Sequence, residues 1–101
     1  MYNNKTSDLM NSKFQILLTG VGSYLPKKKT SNYDLEKFMN TSDEWIRKRT
    51  GIKFRHFVED SELTSDMATN AAELAIFNAG LKPNDIDLII LATTTPDNTF
   101  P

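Results

Sequence analysis

Two short runs, FQILLTGVG at residues 14–22 and DLIILAT at residues 87–93, are apolar at nearly every position and bracket an alanine-striped stretch. A strand with one wet face alternates apolar and polar residues, whereas a run without alternation belongs in a sheet covered on both faces. Between the runs, residues 65–79 place Ala68, Ala71, Ala72, Ala75, Ile76 and Ala79 at the i, i+3, i+4 spacing of one helical stripe. Side chains this small let the helix backbone approach a sheet closely. Gly80 is positioned to stop the helix as a left-handed residue, and Pro83 prevents a restart. Strand, alanine-faced helix and strand is the order of a βαβ crossover. Nothing else in the 101 residues covers the second face of such a sheet, so an α/β fold present only in part is expected.

The rest of the chain supplies smaller elements. Tyr24, Leu25 and Pro26 followed by Lys27, Lys28 and Lys29 read as a loop with a solvated basic surface. Ser31 or Asn32 can cap a short helix with Leu35, Phe38 and Met39 on one side. A second helix starts at Thr41, where Thr41-Ser42-Asp43-Glu44 fits a capping box, and Gly51 is placed to end it. Ile52, Phe54 and Val58 then share one face of a half-buried strand, with Lys53 and Arg55 on the other.

Composition narrows the function classes. A net charge of −1 gives no electrostatic case for a nucleic-acid partner. No apolar run approaches the roughly 20 residues that span a bilayer, and the opening MYNNKTSDLMNSK lacks the apolar core of a signal peptide. Residues 1–13 are expected to be a polar, loosely ordered extension, and residues 14–101 the incomplete domain. With no cysteine there is no disulfide, no thiolate metal site and no cysteine nucleophile in the sequence, which suits a cytoplasmic setting. His56 is the single histidine, so it builds no metal site, and a structural role on a strand is expected. Gly20-Val21-Gly22 follows an apolar run as a dinucleotide-binding loop would. However, Leu25 and Pro26 stand where that fingerprint needs a glycine opening a helix. The glycines are instead expected to serve a tight turn or close packing.

The second helix carries the chemistry worth following. Thr41, Trp45 and Arg49 recur every four residues and so share a stripe, while Ile46, about 100° away, is the natural core anchor. An indole offers a flat surface for stacking a base, and a guanidinium offers a planar cationic fork for phosphate. Arg47, Lys48, Lys53 and Arg55 add positive charge nearby. A phosphorylated nucleotide suits such a surface, although a tryptophan taken alone is more often core.

The string TSDEWIRKRTGI, with GVGSYLP before it, resembles the amino-terminal motif of ketoacyl-acyl-carrier-protein synthase III. NYDLEKFM, the alanine-rich helix and DLIILATTTPDNTFP continue the resemblance in order over residues 14–101. It implies a thiolase-like fold, of which this would be the amino-terminal part of the first of two similar halves. It also implies that Trp45 stacks on the adenine of coenzyme A, that Arg49 borders the adenosine-phosphate site, that Thr41 hydrogen-bonds the adenine and that Thr50 lies close by. In such enzymes a cysteine takes the acyl group from acyl-CoA, and a histidine and an asparagine then assist decarboxylation of malonyl-acyl-carrier protein. No catalytic residue is expected within these 101 residues, and His56 is not the family's catalytic histidine. Acyl-CoA and acyl-carrier protein are the implied partners, with a homodimer for the full-length enzyme. No cofactor or metal is expected, since the coenzyme A thioester is a substrate. The alternatives are a non-catalytic module that binds coenzyme A or acyl-carrier protein, and one half of an enzyme completed by a second chain.

Overall fold

The computed structural model describes residues 15–99; the extension expected at residues 1–13 lies outside them, as does Phe14. The first regular element is a strand, β1, at Lys28–Ser31. It pairs antiparallel with β2, Phe54–Phe57, in the register Lys28↔Phe57, Lys29↔His56, Thr30↔Arg55 and Ser31↔Phe54. The lysine run expected as a loop therefore contributes two residues to a ladder. Their side chains remain exposed, and the Lys29 ammonium sits 4.0 Å from the centroid of the Phe54 ring. The half-buried apolar face expected for β2 is not formed, since the covered residues are neighbours that point to opposite faces. Arg55 and His56 are the more covered residues, while Phe54 and Phe57 are exposed, because little packs over this two-stranded ribbon.

Ser31 ends β1 and caps a one-turn helix, α1, at Asn32–Leu35. Its hydroxyl takes the Asp34 N–H at 3.2 Å, and the Asp34 carboxylate takes the Ser31 N–H at 3.0 Å, which is a capping box. Only Leu35 of the expected apolar side is buried; Phe38 and Met39 follow the helix and are exposed. The next helix, α2, is Asp43–Thr50. It is capped by Ser42, whose hydroxyl accepts the Trp45 N–H at 3.1 Å, and not by the Thr41–Glu44 box. The competing acceptor is Glu36, which takes the Asp43 N–H at 2.6 Å and satisfies a donor at the helix start from outside. Gly51 ends α2 as expected, at φ 71°, with its N–H on the Arg47 carbonyl. Ile46 and Leu35, 3% and 2% exposed, are the apolar core of the described residues. Burying such side chains contributes about 1.5–3 kcal/mol each.

The long helix, α3, is Thr64–Asn78. It closes as a Schellman turn: Gly80 has φ 69°, its N–H reaches the Phe77 carbonyl, and the Leu81 N–H reaches Ile76. Part of its alanine stripe packs closely, but against residues 20–22 and not the expected sheet; Ala72 is exposed and no residue of the helix is buried. A Cβ on Gly22 would lie 2.3 Å from the Ala71 carbonyl oxygen, and one on Gly20 2.3 Å from that of Ala75. The Asn78 amide adds a 2.9 Å bond to the Val21 carbonyl. Residues 20–22 thus lie backbone-to-backbone on α3, the close packing expected of these glycines. At its other end the cap position is Leu63, which has no polar side chain. Asp66 takes the Leu63 N–H at 2.9 Å and the distant Asp97 takes the Ser65 N–H at 3.1 Å.

The two apolar runs depart most from expectation. Neither residues 15–22 nor residues 87–93 form a ladder, and the β1–β2 ribbon is the sheet among the described residues. A strand needs a partner to take its N–H and C=O groups. Neither run has a strand beside it within the described residues, and both expose most of their apolar side chains: Ile16 is 98% exposed and Ile90 85%. The radius of gyration, 20.2 Å, exceeds the roughly 13 Å of a compact 100-residue domain for the same reason.

Candidate nucleotide-binding surface

Helix α2 is held by the Ile46 anchor, and that anchor leaves Trp45 outside, 53% exposed. One turn on, the Arg49 guanidinium carbon lies 4.3 Å from the centroid of the Trp45 ring, within cation–π range. Trp45 also lines a shallow depression of about 570 Å³ together with Thr41, Ser42, Ile46 and Arg55. This volume lies in the range of small-molecule sites. Thr41 enters the depression from the turn before α2, so it reaches Trp45 by loop geometry rather than as the first member of a helical stripe.

The four expected binding residues therefore divide. Trp45 meets two of the others separately: Thr41 lines the depression with it, and Arg49 lies on its ring without lining that depression. Thr50 sits at the end of α2, where its hydroxyl donates to the Ile46 carbonyl at 2.8 Å and accepts the Ile52 N–H at 3.1 Å. Both bonds serve the helix end. Of the nearby cations, Arg55 lines the Trp45 depression, whereas Arg47, Lys48 and Lys53 border a separate one with Asp43, Glu44 and Gly51. Arg47 is also drawn to Asp43 across one turn, at 3.4 Å. Indole, hydroxyl and two guanidiniums on an open surface can stack a planar base and neutralise phosphate.

His56 takes the structural role expected of it. Its Nδ1 lies 2.5 Å from the Pro26 carbonyl oxygen, so that nitrogen carries the proton and donates. Asn32 is the residue that the sequence did not single out. Considered there only as a cap, it is fully buried, and its amide nitrogen donates to Asp43 Oδ1 at 3.0 Å and to the Ile52 carbonyl at 2.7 Å. The signal that would find it is long-range: its partners Asp43 and Ile52 lie 11 and 20 residues away, beyond the reach of any local pattern. The Asn32 hydrogen bond is the first cause, ahead of Arg47, that holds the Asp43 carboxyl below its ordinary range. Two other carboxyls are held low by caps: Asp34 by the Ser31 hydroxyl and then Lys37, and Asp97 by Ser65. Tyr24, hydrogen-bonded to Glu62, is pushed above the ordinary phenol range by that carboxylate. Among the described residues no group of three side chains is arranged to hold a metal, and no helix is long and apolar enough to cross a membrane.

No protein-family model matches the chain. Among curated proteins it is similar to beta-ketoacyl-(acyl-carrier-protein) synthase III of Ehrlichia canis, 66% identical over 85 residues, which are 84% of this chain and 27% of that protein. The enzyme of the same name from Caldanaerobacter subterraneus is 53% identical over 92 residues, 91% of this chain and 28% of that one. In three dimensions it is similar to 3-oxoacyl-(acyl-carrier-protein) synthase III from Aquifex aeolicus, with a TM-score of 0.73 and 52% identity over 82% of this chain and 27% of that structure. A priming beta-ketosynthase of a polyketide pathway matches with a TM-score of 0.66 and 34% identity over 78% of this chain and 25% of that structure. The chain thus spans about a quarter of the length of these relatives, and its α/β fold is part of a thiolase-like one. On these similarities, the chain belongs to the beta-ketoacyl-(acyl-carrier-protein) synthase III family.

Proposed function

We propose that these residues supply part of the coenzyme A adenosine site of an acyltransferase that condenses acetyl-CoA, or another short acyl-CoA, with malonyl-acyl-carrier protein to give 3-oxoacyl-acyl-carrier protein. The supporting observation is the exposed Trp45 ring, which carries Arg49 on it and shares a depression with Thr41. Trp45 would stack the adenine, Arg49 and Arg55 would meet the phosphates, and Thr41 would hydrogen-bond the base. Thr50, whose hydroxyl also holds the end of α2, would lie close to the same site.

The condensation itself needs a nucleophile that forms an acyl thioester, and the sequence has no cysteine. These 101 residues are therefore a binding part and not a catalytic one, and acyl-carrier protein and a homodimeric partner belong to the longer enzyme. The same absence supports a second reading, in which the chain binds coenzyme A without turnover.

Trp45 is the single tryptophan, so its fluorescence reports this surface alone. Coenzyme A is expected to quench it saturably, and pantetheine, which lacks the adenosine, is not. Equal responses to the two, or none to either, would remove the nucleotide assignment.

A further inference from the structure

Asn32 opens α1 and is 0% exposed. Its single NH₂ group bonds to Asp43, the first residue of α2, and to Ile52, which follows the Gly51 stop. One side chain thus ties both ends of the helix that carries Trp45 and Arg49. The Asn32 backbone N–H adds a 3.3 Å bond to the Lys53 carbonyl. The orientation of the amide follows from its neighbours: both are acceptors, so the nitrogen must face them. Its Oδ1 is then left buried without a donor among the described residues, an arrangement that costs stability and gives the core nothing in return. The two bonds to the ends of α2 are what the amide provides.

We propose that Asn32 is a positioning residue, acting through Asp43 and Ile52 to fix the orientation of α2 and hence the angle at which Trp45 and Arg49 face a nucleotide. The nucleotide part rests on the reading above; the orientation of Trp45 does not. Asp43 is a suitable anchor because its carboxyl is held in the ionised form and its side chain is largely covered. The same carboxylate also reaches Arg47, so the clamp extends one turn along α2, on the side of the helix away from Trp45.

The test uses the 101-residue chain, well below the unfolding transition of each variant. Asn32→Leu keeps the volume and removes both bonds; it is expected to shift the Trp45 emission and weaken coenzyme A binding about tenfold. Asp43→Asn keeps an acceptor for the Asn32 amide and is expected to lose several-fold less than Asp43→Leu. A residue that only stabilises would lower the unfolding temperature of Asn32→Leu and leave the emission and affinity of the folded chain unaltered; that result overturns the proposal. If Asn32→Leu does not fold, the Asp43 pair decides: equal emission and affinity in the two variants overturn it, and the expected order sustains it. If coenzyme A fails to quench the unmodified chain, the nucleotide reading falls. Emission then decides for Asn32 alone, a shift sustaining its role in placing Trp45 and no shift ending it.

Discussion

Arg49 and Trp45 are one turn apart on α2, with the guanidinium carbon 4.3 Å from the indole centroid. The pair presents a cation and a π surface to the same volume of solvent. Trp45→Ala is expected to weaken coenzyme A binding by about 1–3 kcal/mol, the worth of one base stack. Arg49→Ala is expected to weaken it less for 3′-dephospho-coenzyme A than for coenzyme A, since fewer phosphate charges remain to be met. Calorimetry on both variants checks this, and unchanged affinities would reduce the pair to a surface contact.

The glycines divide into two kinds. Gly22 faces the Ala71 carbonyl and the Ala75 N–H, backbone atoms that cannot move aside, so Gly22→Ala is expected to cost about 1–3 kcal/mol through overpacking. Gly51 has open space around it but a φ of 71°, so Gly51→Ala is expected to cost about 1–2 kcal/mol through backbone conformation alone. Hydrogen exchange separates them: Gly22→Ala should deprotect α3 amides, and Gly51→Ala those at the end of α2. The reverse pattern would contradict the packing described.

Asp97 links the loop after residue 93 to the start of α3, and its carboxyl is held below its ordinary value of 3.8 by Ser65. A depressed folded-state pKa stabilises above the unfolded value and loses that contribution as pH falls through the folded one. The clamp should therefore be constant from pH 5 to 8 and open only below about pH 4. The Ser65 amide resonance should titrate with a midpoint under 3.8 and cease to do so in Asp97→Asn. A midpoint at or above that value would show that the contact is absent in solution.

No condensation of acetyl-CoA with malonyl-acyl-carrier protein is expected from the 101-residue chain, because it contains no thiol to hold the acyl group. Radiolabelled acetyl-CoA should leave no acyl-protein adduct. Measurable turnover would mean that another nucleophile is in use.

Ile16, Leu18, Leu88 and Ile90 are exposed on runs with no ladder partner. Such surfaces associate. Sedimentation of the chain should show self-association that rises with concentration, and Ile16→Lys with Ile90→Lys should reduce it. A constant monomer mass across the same concentrations would be the contrary result.

What could be read from the sequence was largely local. The left-handed stops at Gly51 and Gly80, the Ile46 anchor, the extent of α3 and the structural role of His56 each depend on a few neighbouring residues, and each stands in the structure. The errors concern partners far along the chain. Lys28 and Lys29 join a strand because Phe57 and His56 pair with them, a register that no pattern in KKK reveals. Ser42 displaces Thr41 as cap because Glu36 supplies the Asp43 N–H with an acceptor. The apolar runs looked like strands because their composition suits burial, but pairing depends on what lies beside them. In the binding surface, Trp45 and Arg49 followed from helical spacing, whereas the Asn32 clamp spans 11 and 20 residues.

The contact between residues 20–22 and α3 also fixes a direction. Gly20 meets Ala75 and Ala79, and Gly22 meets Ala71 and Ala75, so the segment runs antiparallel to the helix. Two residues of extended chain advance about 6.6 Å and four helical residues about 6.0 Å, so one glycine interval matches one step along the alanine stripe. A slip of one residue would drive Val21 into the helix backbone. The two glycines therefore work as a vernier, setting the alignment of segment and helix by excluding every neighbouring one.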